Sequence, residues 1–384
     1  MNVGILYLFN GEKYEGKFKN NLIHGYGIYY YNNGDKYIGK FKNDLRDGYG
    51  ILYYNNGDKY EGEFKNGLPN GYGIYCELNG NKYEGEWNNN LKNGYGIYYY
   101  YNEDKYEGEF KNDLRDGFGI IYIFNGEKYV GEFKNNLKNG YGIYYYSNGD
   151  QYKGEYKKHA VHGYGIYYES NGNKYLGEFK NNRIEGYGIL YISNGEKYVG
   201  EFVGGLKNGY GIYYDSNGDK YNGEWKNNVK DGIGIYYYAN GNKYEGEWKN
   251  NEIEGYGIFY FSGGGKYEGE WKSNENNYYG IITYYNGNKY EGELKNDKPD
   301  GIGVFYFSNG DRFEGEFIDG YNFRYGIFYS FLGFKYEGFF KSRTFVKFLF
   351  TMYRILLLIH FLYSSFVRKN IMILSLIIIL IMGL

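Results

Sequence analysis

A single spacing governs this chain. Lys36-Tyr37-Ile38-Gly39 opens a pattern that runs Lys-Tyr-x-Gly-x-aromatic, then Gly-Tyr-Gly-Ile, then tyrosines, then Asn56-Gly57, and it returns every 23 residues. The repeat tyrosines keep strict step from Tyr14 through Tyr37, Tyr60, Tyr83 and Tyr106 to Tyr336, with Phe313 as the one substitute. Two residues after each stands a glycine, from Gly16 to Gly338. A period in this range belongs to repeat architectures, in which units too small to fold alone bury surface against their neighbours. A length of 384 residues therefore does not predict two or three globular domains.

Within a unit the residues read as strands. In Lys59-Tyr60-Glu61-Gly62-Glu63-Phe64-Lys65, Tyr60, Gly62 and Phe64 fall on one face and the charged residues on the other. Gly71-Tyr72-Gly73-Ile74-Tyr75 is aromatic and β-branched, which suits a pleated sheet. Nothing in the array recurs at helical spacing. Asn-Gly closes twelve units and predicts a hairpin turn in which both residues take positive φ. The other connection, as in Asn20-Asn21-Leu22-Ile23-His24, reads as longer and looser. Each unit then adds two antiparallel strands to a meander, and about 14 units at ~4.8 Å per strand predict a ribbon on the order of 130 Å long.

Glycine inside a strand needs a reason. The paired glycines Gly48 and Gly50, Gly71 and Gly73, and Gly94 and Gly96 are expected to make room for a ring from the neighbouring repeat. With Gly39, Gly62 and Gly85 they would frame two ladders, Tyr37–Tyr60–Tyr83 and Phe41–Phe64–Trp87. Tyr278 and Arg324 replace the first glycine of the pair and Leu294 replaces the aromatic, so the later units are expected to be less regular.

Residues 342–384 are of another kind. Phe345 to Phe366 is apolar but carries Lys347, Arg354 and His360, with Lys347, Thr351 and Arg354 on one helical face. It reads as an interfacial helix at least as well as a spanning one. Ile371 to Leu384 is uncharged, and Arg368-Lys369 forms a basic flank before it. The expectation is a membrane-anchoring tail, single or hairpin-like, on a repeat array of residues 1–341 placed in the cytoplasm; the alternative is that the Phe, Ile, Leu and Asn content of the tail is that of translated AT-rich noncoding sequence. Met1 leads straight into repeat phase, so no signal peptide is expected, and one cysteine, Cys76, fits a reducing compartment.

Chemistry finds little support. All 46 acidic residues lie in the array against 39 basic ones, so general attraction to nucleic acid is not expected. Glu61 with Glu63 reads as a solvated strand face rather than a catalytic pair. Gly-Tyr-Gly-Ile lacks the third glycine and the helix of a phosphate loop. His159 and His162 have no further ligands at metal spacing, and Cys76 has no activating base. No catalytic residue, metal or cofactor is expected.

These residues together, Tyr60-Glu61-Gly62-Glu63-Phe64-Lys65-Asn66-Gly67 followed by Gly71-Tyr72-Gly73-Ile74 and Asn79-Gly80, closely resemble the MORN (membrane occupation and recognition nexus) repeat. Trp87, Trp225, Trp248 and Trp271 occupy a position where that family often has Trp. The resemblance implies an all-β, elongated single-layer meander of stacked hairpins, often paired as a homodimer. It also implies a scaffold that joins membranes to cytoskeletal or other proteins. Some members are credited with phosphoinositide binding or a link to phosphatidylinositol-phosphate kinases, for which the lysine that precedes most repeat tyrosines would serve.

Overall fold

The computed structural model describes residues 2–271, 277–320 and 322–340, together with residues 355, 358–359 and 361–369 of a C-terminal helix. The chain divides into two compact units, Met1–Ser216 and Asn217–Leu384, and the boundary falls within a repeat. The first holds strands β1 (Asn2–Tyr7) to β19 (Leu206–Tyr214), and the second β20 (Lys220–Lys226) to β30 (Lys335–Phe339). In each, every strand pairs antiparallel with the strands before and after it in sequence. The fold is an open, single-layer β-meander.

One repeat shows how the sequence builds it. β4 (Lys36–Lys42) and β5 (Leu45–Tyr53) are joined by Asn43 and Asp44 alone, with φ of 49° and 68°. This is the tight two-residue turn whose twist matches the strands, and it requires positive φ at both residues. The connection that reads as loose is thus the tighter one. The Asn-Gly connection differs in the opposite sense. Between β5 and β6 (Lys59–Lys65), the Gly57 N–H donates to Tyr54 C=O at 3.0 Å and the Tyr54 N–H to Asp58 C=O at 3.0 Å. Only Gly57 takes positive φ, at 93°, while Asn56 does not. Asn56 serves instead through its side chain, whose Oδ1 accepts the Asp58 N–H at 3.0 Å. Where unit 4 ends in Glu103 rather than glycine, Glu103 is held at φ 70°.

The two glycines of the Gly-x-Gly pair have different tasks. Gly39 pairs with Gly50, but Phe41 pairs with Arg46, so one residue of β4 faces three of β5. Gly48 absorbs this bulge at φ 98°. Gly50 answers to packing. The Gly39–Gly50 pair forms a trough, and the Tyr37 ring lies along it; a Cβ on Gly39 would come within 2.6 Å of the Gly50 Cα. The occupant is therefore the ring of the same hairpin, not of the neighbouring repeat as the spacing suggested. Tyr37 Oη donates to the Lys40 carbonyl in the bulge at 3.0 Å, and Tyr60, Tyr83 and Tyr106 repeat the bond at 3.0, 2.9 and 2.9 Å.

The neighbouring repeat supplies the other ring. Tyr37 meets Phe41 of its own hairpin and Phe64 of the next, edge to face, with centroids 5.0 Å apart in both cases. Tyr60 is clasped in the same way by Phe64 and Trp87, and Tyr83 by Trp87 and Phe110. This herringbone continues to Tyr198–Phe202 within the first unit. Tyr37, Tyr60 and Tyr83 are fully buried although no second layer covers the sheet among the described residues. The core lies in the surface of the sheet itself, between glycine troughs and flanking rings.

Departures from the pattern have local explanations. In unit 14, Ile318 pairs with Asn322 and Phe317 with Phe323, one position further along than in the other units. With this register no positive φ is needed where Arg324 stands, and Arg324 Nη1 donates to Glu316 at 2.9 Å.

Candidate functional site

The sheet has two unlike faces. On the inner face, the residues singled out from the sequence all serve the herringbone. Tyr37, Tyr60, Tyr83, Phe41, Phe64 and Trp87 are its buried rings. Gly39, Gly50, Gly62, Gly73, Gly85 and Gly96 form the troughs beneath them. Gly48, Gly71 and Gly94 make the bulges, with φ between 76° and 98°. The role of these residues is to hold the fold.

A row of cations on that face escapes the sequence reading. Arg46, Lys92, Arg115 and Lys138 occupy the position that holds Ile23, Val161 and Ile184 in other units. The interchange of Ile or Val with Lys or Arg at one repeat position is the signal that marks it. Each side chain lies across rings: Lys92 Nζ is 4.7 Å from the Tyr98 centroid and Lys138 Nζ is 4.1 Å from that of Tyr144. Burial pushes the Lys138 ammonium down to about 8, against the opposing pull of Glu127. His159 is lowered too, by burial first and then by Lys138 and Arg115; its Nδ1 accepts the Lys138 N–H at 3.2 Å. Tyr37, Tyr60, Tyr83 and Tyr129 of the ladder are raised, chiefly by burial.

Along the turns, a side-chain ladder joins one unit to the next. Asp150 accepts the Tyr167 hydroxyl at 2.6 Å and the Ser170 N–H at 2.8 Å. These bonds hold its carboxyl down at about 2. Asp58 repeats the arrangement with Tyr75 and Leu78.

The outer face is open. Tyr26, Tyr49, Tyr72, Tyr95, Tyr141 and Tyr164 project from it once per unit, roughly half exposed. Lysines and glutamates flank them, and many are engaged: Lys59 Nζ lies 2.8 Å from Glu61 and Lys105 Nζ 3.0 Å from Glu107. Lys128 rests between the rings of Tyr122 and Tyr145, 5.2 and 5.9 Å from their centroids. In the second unit an apolar cavity of about 580 Å³ opens among Phe259, Tyr267, Trp271, Ile282 and Pro299.

Among the described residues no group of three His, Cys, Asp or Glu side chains is placed to hold a metal. Cys76 is half-buried and pairs across the sheet with Lys59 and Lys82. Arg368 and Lys369 lie exposed on the helix over residues 361–369, while Lys347 and Arg354 fall outside the described residues. Among the described residues no helix is long and apolar enough to cross a membrane, and most of the expected anchor, including residues 370–384, lies outside them.

A sheet of hairpins stacked in sequence order, each clasping the next through rings on a glycine trough, defines a β-repeat protein. The chain belongs to the MORN repeat family, whose model matches thirteen segments from residues 14–36 to residues 290–312. No curated protein matches the chain. Solved structures resemble it only distantly. The TCP domain of Drosophila melanogaster SAS-4 is 18% identical over 41% of this chain and 86% of its own, with a TM-score of 0.27. The TCP10 domain of Danio rerio CPAP is 9% identical over 64% and 94%, with a TM-score of 0.17. Virginiamycin B lyase from Staphylococcus aureus is 12% identical over 77% and 94%, with a TM-score of 0.12. At these scores none of the three carries an argument.

Proposed function

We propose that this protein is a non-catalytic scaffold whose outer face binds cytoskeletal or membrane-associated proteins, and that its apolar C-terminal stretch fastens it to a membrane from the cytoplasmic side. One observation carries the reading. The inner face consumes its rings in holding the repeats together, while the outer face leaves a tyrosine half exposed in unit after unit. Tyrosine presents large contact area at low entropic cost and is enriched at protein interfaces.

The lipid alternative would draw on the lysine preceding most repeat tyrosines. Lys59, Lys105, Lys243 and Lys266 are instead bridged to the glutamate two residues on. That engagement favours proteins over phosphoinositide headgroups.

Cross-linking the protein in cells and mapping the joined peptides tests the scaffold. Cross-links to other proteins should concentrate on outer-face strand residues. Partners joined only through the turns, or turnover of a substrate by the purified chain, would overturn it. Localisation of a chain ending at Lys341 tests the anchor: release from membranes is expected, and unchanged membrane association would refute it. Salt-sensitive flotation of that shortened chain with phosphoinositide vesicles would support the lipid reading instead.

A further inference from the structure

The cation row on the inner face obeys a compensation that one repeat breaks. Shortly after the row position each unit carries a second inner-face residue, and in most units it is a ring: Tyr98 follows Lys92, Tyr144 follows Lys138 and Tyr236 follows Lys230. Where Leu52 and Ile121 replace that ring, the row residue is the longer arginine, Arg46 or Arg115, while Leu190 is accompanied by Ile184. The two guanidinium groups lie alike. Arg46 rests over the Tyr37 ring at 5.7 Å, and its Nη2 donates to the Gly67 carbonyl at 2.6 Å. Arg115 rests over Tyr106 at 5.6 Å, and its Nη2 donates to the Asn136 carbonyl at 3.0 Å. Gly67 and Asn136 hold the same turn position, each in the unit that follows.

Unit 12 has lost the ring without gaining an arginine. Ile282, in β25 (Asn277–Tyr284), stands in the ring position. Asn276 takes the row position in sequence and lies outside the described residues. The next unit's aromatic, which Phe64 and Phe133 supply to Arg46 and Arg115, is Leu294 here. The apolar cavity of about 580 Å³ opens at this place. Tyr267 and Phe261 wall it, at the repeat positions of the Tyr37 and Tyr31 rings that Arg46 lies across. Trp271 is a further wall. It is only partly buried, whereas Trp87, Trp225 and Trp248 are buried at the same position. Asp297 completes the set, in the turn position of Gly67 and Asn136. The Tyr267 hydroxyl is raised by burial first and then by the Asp297 charge. Asp113 holds that turn position beside Lys92; burial pushes the Lys92 ammonium down and Asp113 draws it back up. At the mouth, Lys298 is engaged by Asp319 at 3.0 Å.

We infer that this cavity binds a guanidinium group brought by another molecule, laid on the Tyr267 ring and bonded to Asp297. Two features select that group. A guanidinium is planar and weakly hydrated, so it stacks on rings in an apolar site, as Arg46 and Arg115 do in theirs. An ammonium is strongly hydrated and carries three donors, which walls of Phe261, Trp271 and Ile282 do not satisfy. The volume falls in the range of small-molecule sites, about 300–1,000 Å³, and leaves room for the chain that carries the group. An arginine side chain of a partner protein and a free guanidino compound share this chemistry. The inference concerns the inner face of the second compact unit and stands whether or not the outer face holds cytoskeletal proteins.

Titration calorimetry of the full chain in mild detergent is the test. The probes are agmatine and the peptide acetyl-Gly-Arg-Gly-amide, with the same peptide carrying citrulline, a neutral isostere, as control. At least one guanidinium probe should bind saturably, and the citrulline peptide at least about tenfold more weakly, the loss expected for a charge-assisted bond. Asp297→Asn should weaken binding by about tenfold or more for the same reason. Ile282→Tyr should abolish it by restoring the ring, and should fold because Tyr75 and Tyr98 hold that position elsewhere. Circular dichroism checks this; if the fold is lost, Asp297→Asn and the citrulline control decide. Binding of the peptide alone assigns the site to a partner's arginine, and binding of agmatine alone to a free guanidino compound. Saturable binding of neither overturns the inference. So does a citrulline peptide that binds as tightly as the arginine peptide, or a folded Ile282→Tyr variant that binds like the wild type.

Discussion

Placing a single methyl group on the trough glycine Gly131 should cost far more than placing one on the turn glycine five residues earlier. Gly131 is extended, so its backbone tolerates alanine; only packing forbids it. A Cβ there would lie 2.5 Å from the Gly142 Cα and 2.6 Å from the Tyr129 hydroxyl. Tyr129 is fully buried and sits edge to face with Phe133 and Tyr156 at 5.2 Å each. Displacing the ring would expose on the order of 150 Å² of apolar surface, about 4 kcal/mol at ~25 cal/mol/Å². It would also break the bond to the Glu132 carbonyl at 3.0 Å, worth about 1 kcal/mol. Partial relaxation brings the expected cost of Gly131→Ala to roughly 3–5 kcal/mol. Gly126 has φ 91° and open space around it, so Gly126→Ala costs only the left-handed strain, about 1–2 kcal/mol. Hydrogen exchange of the backbone amides in β12 (Lys128–Lys134) and β13 (Leu137–Tyr145) reads both variants in the intact chain. Equal loss of protection in the two, or a larger loss for Gly126→Ala, would refute the trough as the seat of the core.

Other substitutions test the remaining parts. Glu103→Gly should stabilise its turn by about 1 kcal/mol, because Glu103 is held at φ 70°, and a urea titration should show a raised midpoint for the surrounding repeats. Phe313→Tyr should likewise stabilise, by up to about 1 kcal/mol, if the new hydroxyl reaches the Glu316 carbonyl as its counterparts do in other units; slower exchange in β28 (Arg312–Ile318) is the readout. Asp150 titrates at about 2 when folded, below its ordinary value of ~3.9. Its contribution is therefore complete above that ordinary value and disappears as pH falls toward 2, so Asp150→Asn should flatten the acid loss of stability in this window. Lys138 titrates at about 8 when folded, below its ordinary ~10.4, so at neutral pH its charged form is disfavoured by folding. Raising pH from 7.5 to 9.5 should improve the stability of the wild type relative to Lys138→Met, measured by urea denaturation at each pH.

The strict 23-residue phase makes the fold class legible, since only stacked units can carry such a period, and the alternation in Lys59–Lys65 gives the strands. The sequence misleads at the turns because Asn-Gly is the stronger motif. Asn43-Asp44 and Asn56-Gly57 both suit positive φ, and only the register, with Lys42 opposite Leu45, tells which connection has no room for a third residue. The spacing does not say which ring fills the trough, because a one-dimensional pattern does not show how far a tyrosine leans along its strand. Arg46 and Lys138 escape a sequence reading because a charged residue in a polar stretch reads as solvated, yet flanking rings let their stems lie buried on the inner face.

Removing one whole period tests the account most directly. Deleting residues 129–151 joins Lys128 to Tyr152 and leaves every remaining ring opposite a trough and a clasping partner of the same kind. If stability comes from neighbours alone, hydrogen exchange of the retained repeats should keep its 23-residue rhythm of protected strands, with changes confined to the units beside the junction. Loss of protection throughout the chain after this in-phase deletion would contradict the account, because it would mean that distant parts share one indivisible core.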